Sequence, residues 1–526
     1  MADYKHGTYG EFAASIGDTA MQAGTVSVYI GLAPVNLVRG FEQHVNSPVK
    51  LSNFNAVKRY FGYSANWSVF DLCEVFQLHF DNAAGNIGPV VAINVLDPAK
   101  HKKEPETTKE LTFANGQATI QSDTIILDTL VLADKVEGVD FSIDYDFTKG
   151  LVIIDSVGEK LNGSVQATFS EVDASKITEN DIIGGETAAG VYSGLGCVGL
   201  VYPELGLIPN LIACPGWSSK PKVYEAMVKA ATKINGHWDA MVYADIPVND
   251  GSAVDTIEAA KTWQIENAYT SERSKVFWPQ GMDTAGRIYH AATLGVWRQM
   301  LVDETHDGIP MESCSNKPIP VARQYFGADS KNRGFDQQRG NELNAAGITT
   351  LVYWGGLWVL WGPHTAAYKY GQVTDNRAIF DNSLRTMMHI TNSFQQEHAL
   401  TIDQPMTRAM ADTIKNREQE KADALAAVGA LIGTPVVEFT EEDNSTGDLV
   451  EGNFTWSQKG TPTPPFKSGT MRVAYTTAGF DSYFGGVEYP RTGYHLWGGH
   501  CVEAWSCESG QRPERRRRRY SFCGGR

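Results

Sequence analysis

The sequence predicts a multidomain α/β protein: a split α/β domain interrupted by an all-β insert, then an α+β C-terminal domain, with extended arms at both ends. Three observations carry this. Apolar strand-like runs alternate with helical periodicity both before residue 101 and after residue 183. Between those points the apolar residues recur with a period of two. From residue 366 the pattern turns helical and closes on a short β segment. Strand and helix in alternation make an α/β layer, whereas an uninterrupted series of alternating strands makes a sandwich or barrel.

Residues 1–24 are rich in Gly, Ala, Thr and polar side chains and read as an N-terminal arm, a composition shared by disordered termini. Residues 25–100 hold the first part of the α/β domain. A strand is expected over 25–33, helices around 53–62 and 68–84, and a buried strand over 89–96. Residues 101–183 form the β-sandwich-like insert. Residues 139–147 and 165–169 alternate, and Asn115-Gly116 and Lys149-Gly150 are turn signals between such runs.

Residues 184–365 return to the α/β pattern. Strands are expected at 207–214, 238–246, 275–278, 348–354 and 357–361, and helices at 221–234 and 291–304. Residues 366–486 form the C-terminal α+β domain and arm. Pro405 is placed in the first turn of a helix running to Ile432, because proline is tolerated where the N–H has no helical partner. After the loop Pro462 to Pro465, residues 470–475 alternate, with Met471, Val473 and Tyr475 on one face, and read as a final strand. No internal repeat is evident.

Composition narrows the function. The chain has 526 residues, 42% hydrophobic and 20% charged, enough for about three or four cores without metals or disulfides. Its formal net charge of -16 repels phosphate backbones, so no nucleic-acid contact by the body is expected. Of seven cysteines, Cys73, Cys197, Cys214 and Cys314 are scattered without ligand spacing, which fits reduced thiols in a cytoplasmic chain. The first residues lack the apolar core of a secretory signal. No stretch approaches the roughly 18 apolar residues of a membrane span, so no membrane insertion is expected.

Catalytic motifs are thin. Residues 194–199 spell GxGxxG, but no hydrophobic strand precedes them, and Pro203 and Pro209 follow where a dinucleotide fold needs a long helix. With 51 glycines in the chain, chance matches are expected. There is no phosphate-binding GxxxxGK[ST], no HExxH and no GxSxG. His237, His290, His364, His389 and His398 show no ligand spacing, and Glu441-Glu442 sit in a polar loop that reads as solvated surface. No catalytic, metal or cofactor-binding residue is assigned, and no cofactor is expected.

The segments His6-Gly7-Thr8-Tyr9, Val26 through Pro34, Pro48-Val49-Lys50-Leu51 and Asn55 through Gly62, in that order, resemble the tail sheath family of contractile phages and R-type bacteriocins. The junction Ala174 through Gly185 and the segment Leu205 through Ser218 match more strongly. Gly308 through Lys317 resembles the family's SPSNK-type segment, with Cys314 in place of its proline. Ala346-Gly347-Ile348, Tyr353 through Gly356 and Trp361-Gly362 complete the series, which spans most of residues 1–486. The colinear order is more specific than any one motif.

The resemblance implies a subtilisin-like topology for the α/β domain, with no protease triad. It implies a structural subunit of a six-fold helical homo-oligomer that polymerises around a tail tube protein and contracts to drive it through the bacterial envelope. Baseplate and tail terminator proteins are the other implied partners. The implied location is the virion tail or a tailocin particle assembled in the host bacterial cytoplasm. Arms would add strands to neighbouring subunits. On that footing Tyr4, Tyr9 and Phe12 belong to the N-terminal arm, and Tyr475, Phe480 and Tyr483 to the C-terminal one. A helix of the C-terminal domain would face the tube, and Arg408, Lys415, Arg417 and Lys421 mark a candidate. A solvated helix face, with partners such as Asp412 and Glu420 at helical spacing, is the competing reading. An α/β enzyme, hydrolase or nucleotide binder, is the alternative function, and a monomeric acidic binding module a third.

Residues 487–526 depart from the rest in being dense in Arg, Cys, Trp and Gly, with five arginines at 515–519. A shifted reading frame, a basic surface for anions and a Cys-rich knuckle compete for this tail. The spacing of Cys501, Cys507 and Cys523 fits no familiar zinc pattern.

Overall fold

A computed structural model describes residues 24–159, 161–249 and 254–484. Internal contacts divide the chain into one unit running through Lys467 and a second beginning at Ser468.

The first unit opens with β1 (Ser27–Gly31), every residue of which is buried. Next come β2 (Pro48–Leu51), α1 (Phe54–Tyr60), α2 (Leu72–Phe80) and β3 (Val90–Asn94). Asn53 caps α1 by accepting the Ala56 N–H, which satisfies one of the free donors at a helix start.

The segment between β3 and residue 170 is all β. It comprises β4 (Thr107–Phe113), β5 (Gln117–Gln121), β6 (Val131–Leu132), β7 (Phe141–Asp146), β8 (Leu151–Ser156) and β9 (Gly163–Phe169). Asn115 and Gly116 take positive φ between β4 and β5, as a tight hairpin turn requires. Two antiparallel three-stranded sheets result, β4-β9-β6 and β5-β8-β7. Their alternating inner residues, Leu111, Phe113, Ile120, Phe141, Val152, Ile154 and Phe169 among them, form a core separate from the main one.

The chain then passes through α3 (Glu179–Ile183), β10 (Gly185–Glu186), β11 (Tyr192–Ser193), α4 (Val201–Leu205), β12 (Leu211–Ala213), α5 (Pro221–Ala230) and β13 (Met241–Asp245). It continues with α6 (Ile257–Glu266), β14 (Ser274–Phe277), β15 (Gln280–Met282), β16 (Ile288–Tyr289), α7 (Ala291–Glu304), β17 (Arg323–Tyr325) and α8 (Gln337–Asn344). The hairpin β18 (Ile348–Trp354) and β19 (Leu357–Trp361) follows.

Strands from both sides of the β segment build one sheet of eight, ordered β19-β18-β14-β13-β12-β1-β3-β2. All pairings from β18 to β3 are parallel, and the edge strands β2 and β19 are antiparallel. A parallel sheet is covered on both faces, so its strands read as unbroken apolar runs, as in Val90–Asn94 and Met241–Asp245. The sequence marked these strands for that reason. The strand expected at 207–214 is confined to β12, because Pro209 cannot donate to a central ladder.

The remainder of the unit is α9 (Asp381–His398), α10 (Arg408–Ala427), β20 (Leu431–Glu438), α11 (Thr446–Val450) and β21 (Ser457–Pro462). Three expectations are corrected here. Pro405 lies before α10, which starts after Thr407, whose hydroxyl accepts the Met410 N–H. Ile432 is in a strand, because the helix ends near Gly429 at φ 84°. Residues 470–475 form no strand, and Met471, Val473 and Tyr475 are 87%, 82% and 81% exposed. A strand exists only by pairing, and no described residue pairs with this one. The C-terminal sheet is instead the β20–β21 hairpin, whose alternation is broken by a register shift between Ile432 and Val436.

Candidate functional site

In an open α/β sheet, ligands bind beyond the carboxyl ends of the strands where the connections reverse direction. Here that point lies between β1, which leads on to β3, and β12, which leads away through β13 and β14. Asp71, Glu74, Trp217, Ser218, Asp245 and His290 gather there. The Leu32 N–H and the Trp217 indole each donate to Asp71 at 2.7 Å. Asp245 accepts the Ala292 N–H at 2.9 Å and the Ser218 hydroxyl at 3.4 Å. Glu74 faces His290 through both oxygens, at 2.8 Å from its backbone N–H and 2.7 Å from Nδ1.

The hydrogen bonds pair Ser218 with Asp245 and His290 with Glu74, so hydroxyl and imidazole do not form a nucleophile–base couple. Each carboxylate is consumed in tying loops and helix starts to the sheet. The cluster is a knot joining α2, α7, β13 and the loops after β1 and β12.

Its ionisation gives a prediction. Burial raises Asp71 from 3.8 to about 7 and Asp245 to about 6. Burial alone would lower His290, but Glu74, by charge and hydrogen bond, carries it up from 6.5 to about 9. All three bind protons more tightly folded than unfolded, so each contribution is complete at low pH and is lost as pH rises through the folded value. The window runs from pH 3.8 to about 7 for the carboxyls and from 6.5 to about 9 for the imidazole. Urea midpoints should therefore fall between pH 5 and pH 9, and the Asp71→Asn, Asp245→Asn double variant should fall less. An equal slope in the variant would contradict this assignment.

The GxGxxG run is explained by packing. Residues 194–200 form a 3-10 turn, not a loop before a long helix. Gly194 has φ 52°, and a Cβ there would collide with the Ile182 carbonyl; a Cβ on Gly196 would lie 2.8 Å from the Gly185 backbone. The glycines let two backbone segments touch. Gly194→Ala should destabilise by about 2 kcal/mol or more, from backbone strain plus the clash, as read by chemical denaturation.

Among the described residues no group of three or more His, Cys, Asp or Glu is placed to hold a metal ion. Cys73, Cys197, Cys214 and Cys314 are free and buried, and burial pushes Cys197 up to about 12 and Cys314 to about 11. No described helix is long and apolar enough to cross a membrane.

The other predicted residues fall as follows. Tyr4, Tyr9 and Phe12 lie outside the described residues. Tyr475, Phe480 and Tyr483 are 81%, 51% and 79% exposed. On α10, Arg408 bonds Asp412 at 3.0 Å and Lys415 is half-buried. Arg417 pairs with Glu397 of α9 instead of Glu420, and Lys421 bonds Glu397 and, at 2.8 Å, Glu418. Three of the four cations are thus already paired within the subunit.

Sequence reading missed two buried ion pairs that fix α9 to β14 and to α7. Lys275 of β14 and Asp381, both fully buried, meet at 2.5 Å, with Ser313 Oγ 3.0 Å from the carboxylate. Asp303 of α7 receives Arg385 of α9, the Thr25 hydroxyl at 2.5 Å and Gln299 at 2.8 Å. The available signal was Lys275 itself, a lysine inside an apolar strand that needs an internal acid.

No protein-family model matches the chain. It is 26% identical over 468 residues to the tail sheath protein of Burkholderia phage BcepMu, covering 85% of this chain and 91% of that protein. It is 21% identical over 390 residues to the major tail sheath protein of Serratia phage KSP20, covering 69% of this chain and 92% of the relative. Among solved structures, the helical sheath of the anti-feeding prophage in its contracted state matches with TM-score 0.52 and 13% identity over 90% of this chain and 98% of that one. The contracted sheath complex of an extracellular contractile injection system, PVC, matches with TM-score 0.51 and 10% identity over 91% and 99%.

Proposed function

We propose, on the premise that this chain is a structural subunit of the contractile tail sheath family, that it polymerises with copies of itself into a six-fold helical sheath around a tail tube. Contraction of that sheath drives the tube through a bacterial envelope. The particle is a virion tail or a tailocin assembled in the host cytoplasm, and baseplate and tail terminator proteins hold its ends. The α/β body takes the subtilisin-like strand order of the family. Residues 25–100 and 184–365 act as one domain, 101–183 as the insert and 366–486 as the C-terminal domain and arm.

The observation that carries this reading is the alternating segment 470–475. It has the pattern of a strand, stands exposed, and has no pairing strand among the described residues. A heterologous contact in which each copy lends a strand to the next grows a helix when its rotation does not close a ring. Contraction then needs only two packings of one lattice, the contracted one lower in free energy. The free energy is stored in assembly, so no nucleotide or cofactor enters. On α10, Lys415 is the better tube-facing candidate, since Arg408 is paired with Asp412 and Arg417 and Lys421 are held by Glu397.

Sedimentation velocity of the purified full chain tests the reading. Fast-sedimenting polymer in equilibrium with subunit supports it. A single subunit-sized species, with or without the cognate tube protein, contradicts it.

A further inference from the structure

Both ends of the first unit are tied to the opening of α9. At the N-terminal end, Gly24 lies against the loop after α7, where a Cβ on Gly308 would stand 2.8 Å from the Gly24 nitrogen. Thr25 follows and donates its hydroxyl to Asp303 Oδ2 at 2.5 Å. Asp303 is fully buried, and Arg385 of α9 holds its other oxygen, with Nη1 donating to Oδ1 at 3.1 Å. The next residue, Val26, donates its N–H to Asn210 Oδ1 at 2.8 Å and leads into β1.

At the other end, Thr463 follows β21. Asn382 of α9, 1% exposed, donates through Nδ2 to the Thr463 carbonyl at 3.0 Å and to the Met311 carbonyl at 2.9 Å. The Thr463 N–H donates to the Ala430 carbonyl at 3.0 Å. Further on, Lys467 Nζ lies 5.5 Å over the Tyr368 ring. Tyr368 stacks on His364, and His364 on Phe380, the residue before α9, with ring centroids 3.6 and 5.0 Å apart. The second unit begins at Ser468.

Asn382 and Arg385 sit at i and i+3 of one helix and are neighbours on it. Asp381, beside them, fixes the same turn to β14 through Lys275. The turn therefore receives the tie of the chain's entry and a tie of its exit. Neither yields cheaply, because displacing a root leaves a buried carboxylate or amide without a partner.

We infer that the opening of α9 couples the two ends of the first unit: loosening the chain at Thr25 loosens it at Thr463, and the reverse. Its use rests on the sheath reading, in which the segments before Gly24 and after Lys467 are the arms that link copies. A displacement of one arm then reaches the root of the other through Asp303, Arg385 and Asn382. The coupling itself is a property of the single subunit.

Hydrogen–deuterium exchange with single-residue fragmentation, on the full chain below its assembling concentration, tests this. Thr25→Val removes the hydroxyl and keeps the shape. It should speed exchange at the Thr463 amide about fivefold and leave Val152, in the core of the β segment, unchanged. Asn382→Ala should speed exchange at the Val26 amide by about the same factor, because coupling is reciprocal. Thr25→Ser keeps the hydroxyl and should leave Thr463 at its wild-type rate. A variant that opens its own root while the far root exchanges at the wild-type rate overturns the coupling. So does a rise at Val152 as large as that at the far root, since it reports loss of overall stability. A chain with coupled roots that never polymerises overturns the sheath reading alone, and a polymerising chain with independent roots overturns the coupling alone.

Discussion

Asp381→Ala is expected to destabilise the first unit by about 3–5 kcal/mol, because it leaves the Lys275 ammonium uncompensated in the interior. Lys275 and Asp381 are both 0% exposed, and the remaining neighbours of Nζ are the Gly362 carbonyl at 2.8 Å and Ser313 Oγ at 3.4 Å. Neither neutralises a charge. Lys275→Met should cost a similar amount by stranding the carboxylate at the first turn of α9. The Lys275→Met, Asp381→Leu double variant removes both charges and their desolvation, and should recover most of the loss. Urea denaturation of the three variants reads this directly. A single variant within about 1 kcal/mol of wild type would show that the pair does not bind α9 to the sheet. A double variant as unstable as either single would show that shape, not charge, sets the cost.

Removing everything after Lys467 should leave the first unit folded and abolish its polymerisation. The expectation follows from burial. The core of the first unit draws on no described residue beyond Lys467, and from 468 to 480 every residue is exposed. Circular dichroism and the thermal midpoint should be unchanged, while light scattering at assembling concentrations should fall to the level of the isolated subunit. A truncated chain that still polymerises would place the connecting strand elsewhere. A truncated chain that unfolds would make the removed segment part of that core, against the exposure of residues 468–480.

Legibility followed the physics of each element. The parallel sheet was readable because burial on both faces leaves apolar runs such as Val90–Asn94 with few rivals to the strand reading. The β segment was readable for the opposite reason, since one-sided burial gives the strict alternation of Phe141–Asp146. The hairpin β20 was not readable, because Gly433, Thr434 and Pro435 interrupt its alternation and only Gln419, distant in sequence, completes its edge. Residues 470–475 read as a strand because they alternate, but alternation reports a pattern and not a partner, and no described residue pairs with them. The knot of Asp71, Glu74, Asp245 and His290 is assembled from positions far apart in sequence and left no local motif. The GxGxxG run carried a motif without the function, and the close approach of residues 182–185 supplies its reason.

Negative-stain electron microscopy of two purified chains, full length and residues 1–486, tests the central claim most directly. A sheath subunit should give long striated hollow tubes or stacked six-fold rings from at least the shorter chain. Dispersed subunits from both chains, persisting when the cognate tube and baseplate are supplied, would contradict it.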